Sequence, residues 1–335
     1  MSTKSGGLIR PVAIAGTGKY LPEKVLTNED LQRMVDTSDE WITERTGIKR
    51  RRIAAEHEAT SDLAVRAALD ALENAGVAAA DLDLIIVATV TPDMAFPATA
   101  CFVQKAIGAP KATCFDVSAA CAGFLYGMEL ARQFIASGAA QKALVIGADK
   151  LSGIIDWTDR NTCVLFGDGA GAAVLQPATE DSSEILSAYS GSNGNLDEIL
   201  NVPGGGSRLP LTAENLGAKL NTMKMAGREV YRHAVQTMMS AAREAIDRAG
   251  LTPDDISCFI PHQANLRIIE TIAQKLQVSM DRFFVNLTEY GNTSAAAVAI
   301  ALDEAQRSGR VKRGDHILMV VFGGGLTWAS SVVRW

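Results

Sequence analysis

Histidine is scarce in this chain, with four in 335 residues, so any imidazole chemistry falls on His57, His233, His262 or His316. The five cysteines, at 101, 114, 121, 163 and 258, are odd in number and never stand in CxxC spacing. That pattern speaks against a disulfide framework and against a structural zinc site, and no other metal site is expected. No apolar run approaches the roughly 20 residues that span a bilayer. The N-terminal "MSTKSGGLIRPVAIAGTG" has no h-region followed by a cleavage site. With a formal net charge of −6 and no long basic tract, nucleic acid is not an expected partner. The densest basic run, Lys49 to Arg52, is short and is expected to be a solvated face. The expectation is a cytoplasmic, reduced protein without membrane insertion.

What is present is a chain long enough for about two domains and a large core. Internal similarity divides it. "LENAGVAAADLDLIIVATVTPD" (72–93) matches "IDRAGLTPDDISCFIPHQAN" (246–265) without a gap, pairing Ala75-Gly76 with Ala249-Gly250 and Asp81 with Asp255. Each is a helix ending in Ala-Gly, an acidic loop, then an apolar strand. "KATCFDVSAACAGFLYGMELARQFIASG" and "DRFFVNLTEYGNTSAAAVAIALDEAQRSG" both predict a strand, a turn and an apolar helix. "KALVIGAD" pairs with "HILMVVFG", and "FGDGAGAAVLQ" with "FGGGLTWASSVV". Strands alternating with helices predict an α/β fold with mainly parallel pairing. The duplication predicts two halves, 1–178 and 179–335. The Gly-, Pro- and Asn-rich segment 191–217 predicts a long excursion that covers a site.

Where the halves agree, a residue serves the fold; where they differ at equivalent places, function has room to diverge. His262 stands where the first half has Ala88, at a strand end followed by polar Gln263 and Asn265. Cys121, in "AACAGF", stands close to where the second half has Asn292, in "YGNTSAAA". Ligands of α/β sheets bind beyond the C-terminal ends of strands. A lone buried cysteine is most often packing, and an asparagine before a helix is most often a cap. Cys121 differs in opening a helix, where N–H groups and the macrodipole favour a thiolate, and in having His262 as a partner. Cys101, Cys114, Cys163 and Cys258 lack that context and are expected in or near the core. The glycine runs "GTGK" and "GDGAGA" fit neither a P-loop nor GxGxxG, so nucleotide hydrolysis and dinucleotide binding have little support. "FGGG" (322–325) after a strand suits close approach of a ligand to backbone.

Taken together, "DTSDEWITERTGIKRRRIA", "AACAGFLYG", "DRNTCVLFGDGAGAAVL", "PHQANLRII" and "YGNTSAA" resemble the 3-oxoacyl-[acyl-carrier-protein] synthase III family over nearly the whole chain. The resemblance implies a thiolase fold, a duplicated α-β-α-β-α arrangement in five layers, in a homodimer. It implies a Cys121–His262–Asn292 triad that condenses acetyl-CoA, or a related short acyl-CoA, with malonyl-acyl carrier protein (ACP). No bound cofactor is implied. Backbone N–H groups of Cys121 and Gly324 would form an oxyanion hole beside Phe322. Trp41 and Arg160 match the pair that sandwiches adenine, Thr37 and Arg45 match other CoA contacts, and Asn265 matches a pantetheine contact. Gln263, Ala264, Asn265, Leu266 and Arg267 match the ACP-docking segment. Phe96 matches the residue that reaches the partner's acyl pocket. The chain departs from the family pattern at Arg228 and at Tyr231-Arg232.

Rival readings are separable. A thiolase needs a second catalytic cysteine late in the chain, and none follows Cys258. Elongating synthases use Cys-His-His, but the only histidine after His262 is His316, at a strand start. A polyketide synthase of the same fold shares the triad and differs in starter. A non-catalytic carrier-binding scaffold has no reason to keep Cys121.

Overall fold

The computed structural model describes residues 10–335. Residues 1–9, which open both the stretch read for a leader and the half 1–178, lie outside the described residues. A first sheet has the order β1-β5-β4-β2-β3 and a second the order β6-β9-β8-β7. The strands of the first are β1 (Val12–Tyr20), β2 (Leu84–Ala88), β3 (Thr113–Val117), β4 (Ala143–Asp149) and β5 (Gly169–Pro177). Those of the second are β6 (Glu184–Ser192), β7 (Cys258–Pro261), β8 (His316–Gly323) and β9 (Thr327–Arg334).

Beyond a short N-terminal helix, α1 (Asp39–Thr46), three helices pack around the first sheet: α2 (Thr60–Ala75), α3 (Thr99–Ile107) and α4 (Gly123–Ala136). Two more, α5 (Gly227–Arg248) and α6 (Leu266–Leu276), serve the second, while α7 (Ala296–Arg307) packs mainly on β1, β4 and β5 of the first and also touches β7. α4 and α7 lie between the sheets, and α4 touches strands of both. α2 and α3 cover one outer face, α5 and α6 the other. The layers therefore run α-β-α-β-α, as the fold class implied.

Strands buried on both faces explain the unbroken apolar runs. In β2, Leu84 and Ile86 face the central core with Phe124, Met128, Val298 and Leu302. Ile85 and Val87 face the outer core with Leu63 and Ala67 of α2. On the second sheet, Leu318 and Val320 meet Met238, Ala241 and Ile269. Truncating any such leucine or isoleucine to alanine costs about 2–5 kcal/mol. The Ala-Gly helix ends of the repeat also hold. Gly76 and Gly250 turn the chain out of α2 and α5 at φ +63° and +70°, a region open to glycine without steric cost.

Three expectations need correction. Pairing is not mainly parallel: β2 runs parallel to β3 and β4, and β7 to β8, but β4·β5, β1·β5, β8·β9 and β9·β6 are antiparallel. No long helix separates β4 from β5, and β8 is joined to β9 through residues 324–326 alone, a return too short for anything but antiparallel strands. The strand expected at "DRFFVN" is reduced to one bridge between Phe259 and Phe283. The Gln263 side chain takes the ladder's place there. Its Nε2 donates to the carbonyls of Pro261 (2.8 Å) and Phe284 (3.1 Å), and its Oε1 accepts from Asn286 N–H at 2.9 Å. Finally, the basic run is not all solvated. Arg51 is wholly buried, donating to the carbonyls of Leu26 (3.2 Å) and Val164 (2.7 Å) and to Asn28 Oδ1 (2.9 Å). Burial lowers its guanidinium pKa to about 10, so it stays charged at neutral pH.

Candidate active site

Cys121 sits in the tight turn Ala120–Ala122, immediately ahead of α4. Ala120 is held at φ +46°, and the hydroxyl of Thr327 donates to the carbonyl of Ala119 at 2.8 Å. The end of β8 presses on this turn: a Cβ on Gly323 would stand 2.6 Å from the Cys121 nitrogen. Only glycine permits that approach. Cys121 is 6% exposed, and burial pushes its thiol up to about 12. The helix start favours a thiolate, but desolvation outweighs it, so the resting group is a thiol.

His262 follows the last residue of β7, and its N–H donates to the Val320 carbonyl at 2.7 Å. Burial lowers its imidazole to about 4, so the ring is neutral at pH 7. Its Nδ1 has no hydrogen-bond partner among the described residues. Asn292 is fixed from three sides. Its N–H donates to the Leu165 carbonyl (2.8 Å), its carbonyl accepts from Gly167 N–H (3.0 Å), and its Oδ1 accepts from Ser294 N–H (2.8 Å). With Oδ1 taken, the amide NH2 is the end left to donate.

Two cavities meet at Cys121. One, of about 180 Å³, is lined by Cys121, His262, Asn292 and Phe322 and runs between Met225, Val230 and Ala264. The other, of about 340 Å³, lies on the opposite side of the thiol, among Val90, Leu151, Ile154, Met223 and Gly324. Leu200, from the 191–217 excursion, lines both. A long neutral arm therefore has a route to the sulfur on one side, and an acyl group has an apolar chamber on the other.

The first cavity continues to an outer depression lined by Trp41, Arg45, Arg228 and Asn265. The guanidinium carbons of Arg45 and Arg160 lie 4.5 Å and 4.7 Å from the Trp41 ring centroid. Arg160 and Trp41 thus touch each other, and a planar base enters between them only if Arg160 withdraws. Thr37 Oγ1 is buried without a hydrogen-bond partner among the described residues. Asn265 caps α6 by accepting from Arg267 N–H (2.9 Å) and donates to the Arg45 carbonyl (3.1 Å), so its amide is already engaged. Arg267 is exposed, and Ala264 and Leu266 are half-buried. Gln263 is 1% exposed with its amide spent inside, which removes it from any docking surface. Phe96 is 83% exposed.

Sequence reasoning passed over two groups at this site. Ser294 lines the larger cavity together with Cys121, and the charge of Asp149, wholly buried at the end of β4, pushes the thiol upward. The internal register carried a signal for Asp149, because it pairs Asp149 with Gly323. Among the described residues no cluster of ligating side chains is placed to hold a metal, and no helix is long and apolar enough to cross a membrane.

A family model for 3-oxoacyl-[acyl-carrier-protein (ACP)] synthase III matches residues 115–194, and the model for its C-terminal part matches 246–335. The chain is 58% identical over 322 residues to the beta-ketoacyl-[acyl-carrier-protein] synthase III of Caldanaerobacter subterraneus subsp. tengcongensis, covering 96% of this chain and 97% of that protein. It resembles the crystal structure of 3-oxoacyl-[acyl-carrier-protein] synthase III from Aquifex aeolicus at a TM-score of 0.89 and 50% identity, covering 97% and 100% of the two chains. The priming beta-ketosynthase of the R1128 polyketide pathway is similar at a TM-score of 0.90 and 36% identity, covering 99% and 98%.

Proposed function

The chain belongs to the 3-oxoacyl-[acyl-carrier-protein] synthase III family of thiolase-fold acyltransferases, which carries out the initiating condensation of fatty acid synthesis, and we propose that it does so through an acyl-Cys121 intermediate. One observation carries this reading: Cys121 lies where two cavities meet, with His262 and Asn292 in the wall of one of them.

In the first half-reaction the Cys121 sulfur attacks the thioester of acetyl-CoA or a related short acyl-CoA, and CoA leaves. The backbone N–H groups of Cys121 and Gly324 stabilise the oxyanion. In the second, malonyl-ACP enters by the same tunnel and loses CO2. The negative charge that develops on its thioester oxygen is met by His262 Nε2–H and the Asn292 amide. A neutral imidazole suits this task, since it has an N–H to give and needs no prior titration. The carbanion then attacks acyl-Cys121 and releases 3-oxoacyl-ACP. Splitting the condensation in two replaces one difficult step by two easier ones.

Trp41, Thr37, Arg45 and Arg160 receive the nucleotide end of CoA, with Asn265 beside the pantetheine arm. Arg267 steers the acidic ACP from the protein surface. The two halves 1–178 and 179–335 share the work, one bringing the nucleophile and the other His262 and Asn292. The enzyme acts in the cytoplasm as a homodimer, without a resident cofactor. Support for the dimer comes from β3, an edge strand with no neighbour on one side among the described residues, and from exposed Phe96 and Met94 in the loop before α3. A polyketide-priming role is the second reading, favoured by the R1128 likeness but at lower identity than the fatty acid relative. The test is reconstitution with acetyl-CoA and malonyl-ACP. Stoichiometric 3-oxobutyryl-ACP, CO2 and CoA are expected. No product and no CO2 from acetyl-, isobutyryl- or octanoyl-CoA would sink the proposal.

A further inference from the structure

Gln263 is withdrawn from the surface, yet it is the chain neighbour of His262, and its amide is bonded at both ends. Nε2 donates to the carbonyls of Pro261 (2.8 Å) and Phe284 (3.1 Å), and Oε1 accepts from the N–H groups of Asn286 (2.9 Å) and Leu287 (3.3 Å). One backbone bond, from Phe284 N–H to the Phe259 carbonyl at 2.8 Å, ties this segment to β7. The Gln263 side chain adds three bonds to the segment beyond the point where that ladder stops. The chain then makes one helical turn, Leu287–Tyr290, and Gly291 leads at φ +65° into Asn292. The far end of the turn is held from α7. Glu304 Oε1 accepts from the Tyr290 hydroxyl (2.6 Å), and Glu304 Oε2 accepts from the Asn286 amide (2.9 Å). Lys19 Nζ, 2.5 Å from Oε1, pins that carboxylate in turn. A short turn fixed at both ends therefore connects the strand that leads into His262 with Asn292. Buried polar networks whose members are satisfied rigidify one arrangement.

We infer that Gln263 is a positioning residue for the second half-reaction: with Tyr290–Glu304 as its counterpart at the far end of the turn, it sets the spacing of His262 and Asn292. The inference rests on those two residues being the donors to the malonyl thioester oxygen. Two donors serve one oxygen only when both lie within hydrogen-bond reach of it. These two have separate anchors, since His262 N–H bonds the Val320 carbonyl of β8 and the Asn292 backbone bonds Leu165 and Gly167 of the first half. Gln263 is joined to His262 through the chain and to residues 284–287 through three hydrogen bonds, so it carries the position of one donor to the other. A displacement of about 1 Å at a reacting centre costs on the order of 10² in rate. The Cys121 turn has supports of its own in Gly323 and Thr327, so acyl transfer does not depend on this clamp. Positioning and carrier docking also leave different traces: lost docking raises KM, whereas lost alignment in the transition state lowers kcat.

The experiment compares wild type with Gln263→Met, which is close in length but bonds none of the four backbone groups, and with Tyr290→Phe, which removes one hydroxyl. Three quantities are read: the rate at which acetyl-CoA acylates Cys121, and kcat and KM for CO2 release from malonyl-ACP. In Gln263→Met the kcat for CO2 release is expected to fall about 10- to 100-fold, with KM within about twofold and acylation within about threefold of wild type. Tyr290→Phe should move kcat the same way by about 3- to 10-fold. A raised KM with unchanged kcat would assign Gln263 to docking and overturn the inference. So would equal loss of acylation and CO2 release, the mark of a merely structural role, or a kcat within about twofold of wild type in Gln263→Met. If Gln263→Met does not fold, Tyr290→Phe decides, and an unchanged kcat there overturns the clamp. No CO2 from the wild type would instead defeat the reading of His262 and Asn292 itself.

Discussion

Gly323 of the second sheet and Cys121 of the turn before α4 are in backbone contact: a Cβ on Gly323 would lie 2.6 Å from Cys121 N and 3.2 Å from Ala122 N. The obstruction is backbone, which has no flexible end to yield. Gly323→Ala therefore shifts the turn and mis-aims the Cys121 N–H. Losing one oxyanion donor costs about 10²–10³ in kcat. The expected result is a fall of that order with a near-wild-type KM for acyl-CoA and an unchanged circular dichroism spectrum. An unaltered kcat would show that this contact does not set the geometry of the hole.

In the proposed reaction Asn292 acts only in the second half-reaction, so its loss separates the two. Asn292→Ala removes the amide donor and the acceptor of Ser294 N–H. Cys121 acylation should stay within about 10-fold of wild type, while malonyl-ACP decarboxylation falls by about 10² or more. The two rates are read separately by mass spectrometry of the enzyme and by CO2 release. Equal loss in both would place Asn292 in a structural role only.

His262 links the site to stability. Its folded pKa of about 4 lies below the ordinary value near 6.5, so the unfolded chain binds the extra proton first. Stability from this group is fully present above about pH 6.5 and is lost as pH falls towards 4. Between pH 7 and 4.5 the wild type should lose about 2–3 kcal/mol more than His262→Asn in urea unfolding. Parallel pH profiles would show that the imidazole is not held neutral by burial.

Arg51 holds together elements distant in sequence. Its guanidinium joins the Leu26 carbonyl, Asn28 and the Val164 carbonyl. Arg51→Ala strands these acceptors without donors. A loss of about 3–5 kcal/mol is expected in denaturant unfolding. A loss below about 1 kcal/mol would mean that water replaces the guanidinium.

How far the sequence exposed this arrangement depended on whether a signal was local. Cys121, His262 and Asn292 emerged from comparing the two repeats, because a chemical side chain opposite an alanine or at a helix opening is visible residue by residue. The same comparison set Asp149 against Gly323 and held a signal that reasoning about small residues and cysteines passed over. The apolar strands were legible from their runs, but their pairing direction was not, because it depends on the length of the connections. Arg51 and Gln263 look solvated or surface-seeking in sequence. Their burial depends on carbonyls such as those of Val164 and Phe284, which only the folded chain brings near.

The central claim is that Cys121 carries the acyl group. Intact-protein and peptide mass spectrometry after brief incubation with acetyl-CoA tests it most directly. The account predicts one added acetyl group per chain, localised to the peptide containing Cys121 and absent from Cys121→Ala. An acetyl group on Cys101, Cys114, Cys163 or Cys258 instead, or no adduct with acetyl-, isobutyryl- or octanoyl-CoA, would contradict it.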